Sequence, residues 1–157
     1  MRSMRRILTL ASLAALAGLA TNAAANQSYH TLHAPLVAVN GSPLQQGWVN
    51  DIHMNGNVNG AQEVYHLAGA SPNTDYHVVI QFYTNDTTCT TTPFPITTAA
   101  LTTNAGGNAD ATFNFPASPR PRTNNPQFDS AIWQIQDSGN TVHYATGCHL
   151  VIIGAAK

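Results

Sequence analysis

The sequence has 157 residues, of which 43% are hydrophobic and only 8% are charged, and its net charge is −1 with the histidines neutral. Three of the six basic residues are arginines near the N-terminus, and the rest of the chain holds three basic and seven acidic residues. So few lysines and arginines exclude a surface that tracks phosphates, which argues against nucleic acid and anionic membranes as partners.

The N-terminal segment has the form of an export signal. Arginines precede an apolar run over residues 7–20, and Ala23–Ala25 fits a cleavage site between small residues. We therefore expect a signal peptide at residues 1–25 and one mature domain at residues 26–157, located in the periplasm, on the cell surface or in the medium. The apolar run is shorter than the ~20 residues of a membrane-spanning helix, so no stable membrane span is expected.

The two cysteines, Cys89 and Cys148, are predicted to form a disulfide bond. They are 59 positions apart, and pairing is the default in an exported protein. Closing a loop of this length stabilises a fold by about 4 kcal/mol when chain entropy dominates. A reactive thiol is the alternative, but no C-x-x-C motif is present and Cys89 has no basic neighbour to lower its pKa.

The mature chain is predicted to be all-β, with short alternating segments separated by turns. Residues 99–115 predict a hairpin that turns at Gly106-Gly107, whereas residues 116–126 contain four prolines and cannot form a central strand. The remaining predicted strands cover residues 48–54, 63–69, 76–83, 130–136, 141–145 and 148–154. About 7–9 strands at this spacing indicate an antiparallel β-sandwich.

Residues 65–80, YHLAGASPNTDYHVVI, resemble the turn between the fifth and sixth strands of immunoglobulin-like and fibronectin type III domains found in exported bacterial proteins. The resemblance implies an immunoglobulin-like β-sandwich in which Pro72 bends the chain. It also implies a tyrosine corner, in which the Tyr76 hydroxyl bonds a backbone group a few residues upstream. A core tyrosine without this role is the alternative. We expect the two layers to enclose Trp48 and Trp133.

Seven histidines invite a metal site, but their spacing does not support one. No H-x-H pair occurs, and His30 and His33 lie near an N-terminus expected to be frayed. Alternation places four further histidines on the surface, and no metal or other cofactor is expected. These four are His53, His66, His77 and His143. The alternative function is a periplasmic metal-binding protein that uses His66, His77 or His143.

Catalytic motifs are also missing from the sequence. There is no G-x-S-x-G nucleophile motif, and the seven acidic residues are scattered. Asp51 and Glu63 flank the NGNVNG turn and can face each other across a hairpin, although surface positions without a role explain them equally well. The prediction is therefore that the protein is not an enzyme. A water-excluding cleft with two carboxylates or a His–Asp pair would reopen that question.

These observations predict an exported, non-catalytic binding module or a module associated with the cell envelope. Its partner is expected to be a protein or a glycan, because rigid sandwiches usually recognise partners through loops. The loops at residues 84–97 and 116–128 are the predicted contact surface. The candidate contact residues are Tyr83, Phe94, Arg120 and Arg122.

Overall fold

The computed structural model describes residues 29–55, 58–119 and 127–153, and it contains ten strands in these ranges. The strands are β1 (Tyr29–Pro35), β2 (Val37–Ala38), β3 (Gln46–Met54), β4 (Val58–Ala68), β5 (Asp75–Tyr83), β6 (Phe94–Thr102), β7 (Ala109–Pro119), β8 (Gln127–Asp137), β9 (Val142–Ala145) and β10 (His149–Ile153). Within these ranges, no helix has the length and apolar character needed to cross a membrane. The predicted signal peptide lies outside the described residues.

The strands form two antiparallel sheets, which confirms the predicted all-β sandwich. The four-stranded sheet has the order β1-β3-β4-β7, and the six-stranded sheet has the order β2-β9-β8-β5-β6, with β10 also paired to β8. Strands β9 and β10 follow each other along the same edge of β8. Between them, the Thr146 N–H donates to the Trp133 carbonyl at 3.0 Å.

Alternate residues of the facing strands form the core between the sheets. Its largest fully buried side chains are Trp133, Tyr65, Tyr144, Leu67, Leu101 and Ile135. Trp133 lies in the core as expected, but Trp48 does not. In β3 the inward-facing residues are Gly47, Val49, Asp51 and His53, so Trp48 lies on the outer face of the four-stranded sheet.

Two of the connections that cross between the sheets lie side by side at one end of the sandwich. One crossover joins β4 to β5, and the other joins β6 to β7. The predicted hairpin over residues 99–115 is therefore wrong, since β6 pairs with β5 and β7 pairs with β4. The two crossovers bond to each other, and one of these bonds runs from the Ala70 N–H to the Gly107 carbonyl at 3.0 Å.

Pro72 and Tyr76 lie at the β4–β5 crossover, where the sequence pattern indicated a change of sheet. Tyr76 is buried, and its hydroxyl lies 3.3 Å from the Tyr144 hydroxyl. The Ser71 N–H points at the Tyr144 hydroxyl, at 3.4 Å. The upstream backbone contact expected of Tyr76 is thus made by Tyr144, because β9 brings a second phenol to the same place.

Cys89 and Cys148 form the predicted disulfide bond. Cys89 lies in the loop between β5 and β6, and Cys148 lies between β9 and β10. Asp86 organises this loop, because its carboxylate accepts backbone N–H bonds from Thr88, Thr90 and Thr91. These bonds hold the pKa of Asp86 far below its usual range.

Strands are present in regions that the sequence predicted to be irregular. His30 and His33 belong to β1, which pairs with β3 along its whole length, so this segment is not frayed. Residues 116–119 continue β7, and β6 begins at Phe94, so both predicted loops are shorter than expected. Prolines are compatible with β7 because it is an edge strand whose outer amides need no partner in the sheet.

Candidate functional site

The β3–β4 hairpin brings two carboxyl groups together inside the sandwich. Asp51 pairs directly with Glu63 in the strand register, and each residue is only 2% exposed. Directly opposed residues of an antiparallel pair have Cβ atoms about 5 Å apart. The prediction that they face each other across a hairpin is confirmed. The surface interpretation was wrong, because these positions share the inward phase of β3 and β4 with Val49 and Tyr65.

Asp51 is bonded to His53, which lies two positions along β3 on the same face. The distance between His53 Nε2 and Asp51 Oδ2 is 2.7 Å. The expectation that His53 is a surface residue was therefore wrong. The ring of His30, from the adjacent β1, stacks on His53 with 5.4 Å between centroids. Asp51 Oδ1 is buried and has no hydrogen-bond partner within the described ranges.

Glu63 is held by two aromatic residues. The Trp133 indole N–H donates to Glu63 Oε1 at 2.8 Å, and the Tyr65 hydroxyl donates to Oε2. The Tyr65 oxygen also lies 2.7 Å from the Thr98 hydroxyl. Burial, and then the charge of Asp51, raise the pKa of Glu63 from 4.5 to about 8, although the bond from Trp133 acts in the opposite direction. Glu63 consequently carries a proton at neutral pH.

These side chains border a cavity of about 340 Å³ between the sheets, which we call the inter-sheet cavity. Its polar lining comes from Asp51, His53, Glu63 and Trp133. The apolar lining consists of Ile80, Phe82, Ile96, Phe115, Pro116, Ala131, Val151 and Ile153, together with Gly60 and Ala61. By strand register, all of these lie in the half of the sandwich away from the two crossovers.

The part of the chain that the structure describes has acidic residues but no lysine or arginine to balance them. The described ranges contain all seven acidic residues of the sequence and neither a lysine nor an arginine. Histidines are therefore the only side chains there that can carry positive charge beside Asp51 and Glu63. A buried carboxylate usually has a cationic partner or several donors, so the arrangement is unusual for a purely structural core.

Of the four predicted contact residues, the two that the structure describes do not share an exposed surface. Phe94 is 65% exposed at the start of β6, but Tyr83 is buried at the end of β5 with 8% exposure. Tyr83 was placed wrongly because the last residue of the strand still packs between neighbours. Arg120 and Arg122 lie outside the described residues.

The outer histidines of the predicted metal site lie on different sheets. His66 belongs to the four-stranded sheet, where it bonds Asp110 at 2.7 Å and stacks on Trp48. His77 and His143 belong to the six-stranded sheet. Among the described residues, no three histidine, cysteine or acidic side chains are grouped so that they could hold a metal ion.

The polar cluster was missed in the sequence, although a signal for it exists. Glu63 is the only glutamate in the chain, and it shares the alternation of Tyr65 and Leu67. Asp51 and His53 share the alternation of Val49 in the same way. Polar residues in phase with the apolar positions of two consecutive strands indicate a buried polar site.

Comparisons with protein-family models, with curated proteins and with solved structures find no match. The immunoglobulin-like resemblance of residues 65–80 accordingly stays a prediction. Function has to be argued from the site, because a β-sandwich supports many unrelated activities.

Proposed function

We propose that this protein is an exported, non-catalytic binding protein that holds a small ligand in the inter-sheet cavity. The observation that carries the proposal is a cavity of about 340 Å³ with mainly apolar walls and a few converging polar groups. This volume falls in the range of roughly 300–1,000 Å³ typical of small-molecule sites. The ligand therefore has a largely apolar body and a polar group at one end.

The buried ionisable residues support a binding role more than a structural one. Replacing buried charged groups by apolar side chains of similar volume often stabilises a protein. Asp51, His53 and Glu63 are all buried beside open volume, where apolar residues would stabilise the sandwich better. Strongly shifted pKa values in a cavity are typical of functional sites.

Export is supported by the disulfide bond, since such bonds persist mainly in oxidising compartments. The expected protein or glycan partner at the loops has less support. Tyr83 is buried, and the loop after β5 is folded around Asp86. A small molecule between the sheets fits the geometry better than a macromolecule at that surface.

The test uses N-phenyl-1-naphthylamine, a neutral apolar probe that fluoresces when it leaves water. We expect saturable binding of one probe per chain. Ile96→Trp, which fills the cavity from β6, should weaken binding at least tenfold. Thr97→Trp is the matched control, because residue 97 is exposed on the opposite face of the same strand. Absence of saturable binding, or equal binding by both variants, would overturn the proposal.

A hydrolytic function is the second candidate, and the pairing of Asp51 with Glu63 favours it. Retaining glycosidases use two carboxyl groups about 5 Å apart, one of them protonated. Here Glu63 is protonated and Asp51 lies directly opposite. Both Glu63 oxygens, however, already accept bonds from Trp133 and Tyr65. Release of nitrophenol from 4-nitrophenyl glycosides that is lost in Glu63→Gln would establish this candidate, and no release above the buffer rate would remove it.

A further inference from the structure

The hydrogen bonds around the cavity leave one acceptor unmatched. The donors of Trp133 and Tyr65 are directed to Glu63, and His53 Nε2 is directed to Asp51 Oδ2. The Tyr65 oxygen also lies 2.7 Å from the Thr98 hydroxyl, so both Glu63 oxygens and Tyr65 have partners. Among the described side chains that line the cavity, Asp51 Oδ1 is the buried acceptor without a partner. The site therefore lacks a donor.

The charges of the cavity residues also indicate that a hydrogen-bond donor is missing beside Asp51. Glu63 is neutral at pH 7, so Asp51 is the acidic residue that can hold a cation. The titratable side chains around it are His53 on its own strand, His30 on β1, and Glu63 and Tyr65 on β4. Histidine protonation can offset one charge but leaves Oδ1 unbonded. A buried carboxylate oxygen without a partner is costly, and a bound cation that donates to it would remove that cost.

We infer, on the basis of the proposed ligand site, that the ligand is a small primary amine with an apolar body, whose ammonium group donates to Asp51 Oδ1. An ammonium group offers three donors and no acceptor, which matches what the site lacks. The aromatic residues Trp133 and Phe82 line the same cavity, and aromatic rings of this kind can attract a cation. The apolar walls contact the rest of the molecule.

The test compares three ligands of nearly equal size at pH 7: 2-phenylethylamine, 2-phenylethanol and phenylacetate. Each displaces N-phenyl-1-naphthylamine from the protein, and the dissociation constants are compared. We expect the amine to bind at least tenfold more tightly than the alcohol, and phenylacetate to bind most weakly. Equal affinities, or tighter binding of phenylacetate, would overturn the inference.

A substitution tests whether Asp51 causes the preference for the amine. Asp51→Asn keeps the shape of the side chain and removes its charge, so it should abolish the advantage of the amine over the alcohol in the same displacement measurement. Asp110→Asn is the matched control, because the Asp110 side chain is 74% exposed on the outer face. A preference that survives Asp51→Asn would contradict the assignment. The comparison in the wild-type protein decides the ligand class even if that variant fails to fold.

The outcomes separate the inference from the proposed function. Binding of the probe with no preference among the three ligands overturns the amine inference alone. Failure of the probe and of all three ligands to bind overturns both. Preference for the amine in the wild-type protein and its loss in Asp51→Asn support both.

Discussion

Glu63 shows how one buried side chain links stability to pH. Its environment offers two donors but places it opposite Asp51 and away from water, and the balance raises its pKa from 4.5 to about 8. The folded protein therefore keeps a proton that the unfolded chain has lost between these two pH values. Stability from this group is fully present below about pH 4.5 and falls as the pH rises towards 8.

Glu63→Gln should remove this part of the pH dependence, because glutamine is neutral and keeps an oxygen for the Trp133 N–H. A shift of this size corresponds to a loss of about 5 kcal/mol in the wild-type free energy of unfolding between pH 4.5 and 8. Urea unfolding at pH 5, 6, 7 and 8 measures the slope. The exposed Asp75→Asn serves as the control and should keep the wild-type slope. Equal slopes in the wild-type protein and Glu63→Gln would contradict the pKa shift.

At the level of elements, the two crossovers close one end of the sandwich and leave the other half to the cavity. Besides the Ala70–Gly107 bond, the Thr103 N–H donates to the Thr74 carbonyl at 3.0 Å, and the Thr103 hydroxyl donates to the Ser71 carbonyl at 2.7 Å. Among the described glycines, Gly107 leaves the least room for a side chain, since a Cβ atom there would lie 2.1 Å from the Ala70 oxygen. This contact requires glycine.

Gly107→Ala should destabilise the fold strongly, by roughly 3 kcal/mol or more, because it adds a backbone clash to the strain of a left-handed conformation. Gly41→Ala is the matched control, since it has a similar φ of 73° with nothing within 4 Å of the added atom. It should cost only about 1 kcal/mol. Thermal unfolding of the two variants measures both effects. Equal losses would show that the crossovers do not pack as described.

At the scale of the whole molecule, the disulfide fastens the six-stranded sheet in its cavity half. Cys148 precedes β10, and β10 contributes Val151 and Ile153 to the cavity wall. Cys89 joins this edge to the loop after β5, so two distant parts of the chain are held together. The bond therefore limits unfolding of the whole domain and also keeps one wall of the cavity in place.

The double variant Cys89→Ala, Cys148→Ala should lower the free energy of unfolding by about 4 kcal/mol, as expected for closing a loop with a sequence separation of 59. Urea unfolding with and without a reductant measures this loss. Reductant should weaken the wild-type protein to a similar extent and leave the double variant unchanged. Unchanged stability of the wild-type protein in reductant would contradict a stabilising role for the disulfide bond.

The sequence predicted what depends on local pattern and missed what depends on pairing in space. The β-sandwich and the Cys89–Cys148 bond follow from alternation, composition and cysteine number. The turn at Gly106-Gly107 was misassigned because the same turn residues serve hairpins and crossovers between sheets. His53 was placed outside because β3 has two alternating faces, and the face with Trp48 was taken as the inner one. The cavity depends on both sheets.

The central claim is that Glu63 is a buried, protonated carboxyl in the inter-sheet cavity. Glu63 is the only glutamate in the chain, so protein labelled with carbon-13 at the glutamate δ carbon gives a single side-chain carboxyl signal. Its chemical shift, followed by nuclear magnetic resonance from pH 4 to pH 10, reports the protonation of this one group. The structure predicts a midpoint near pH 8. A midpoint near 4.5, the ordinary value for glutamate, would contradict the account.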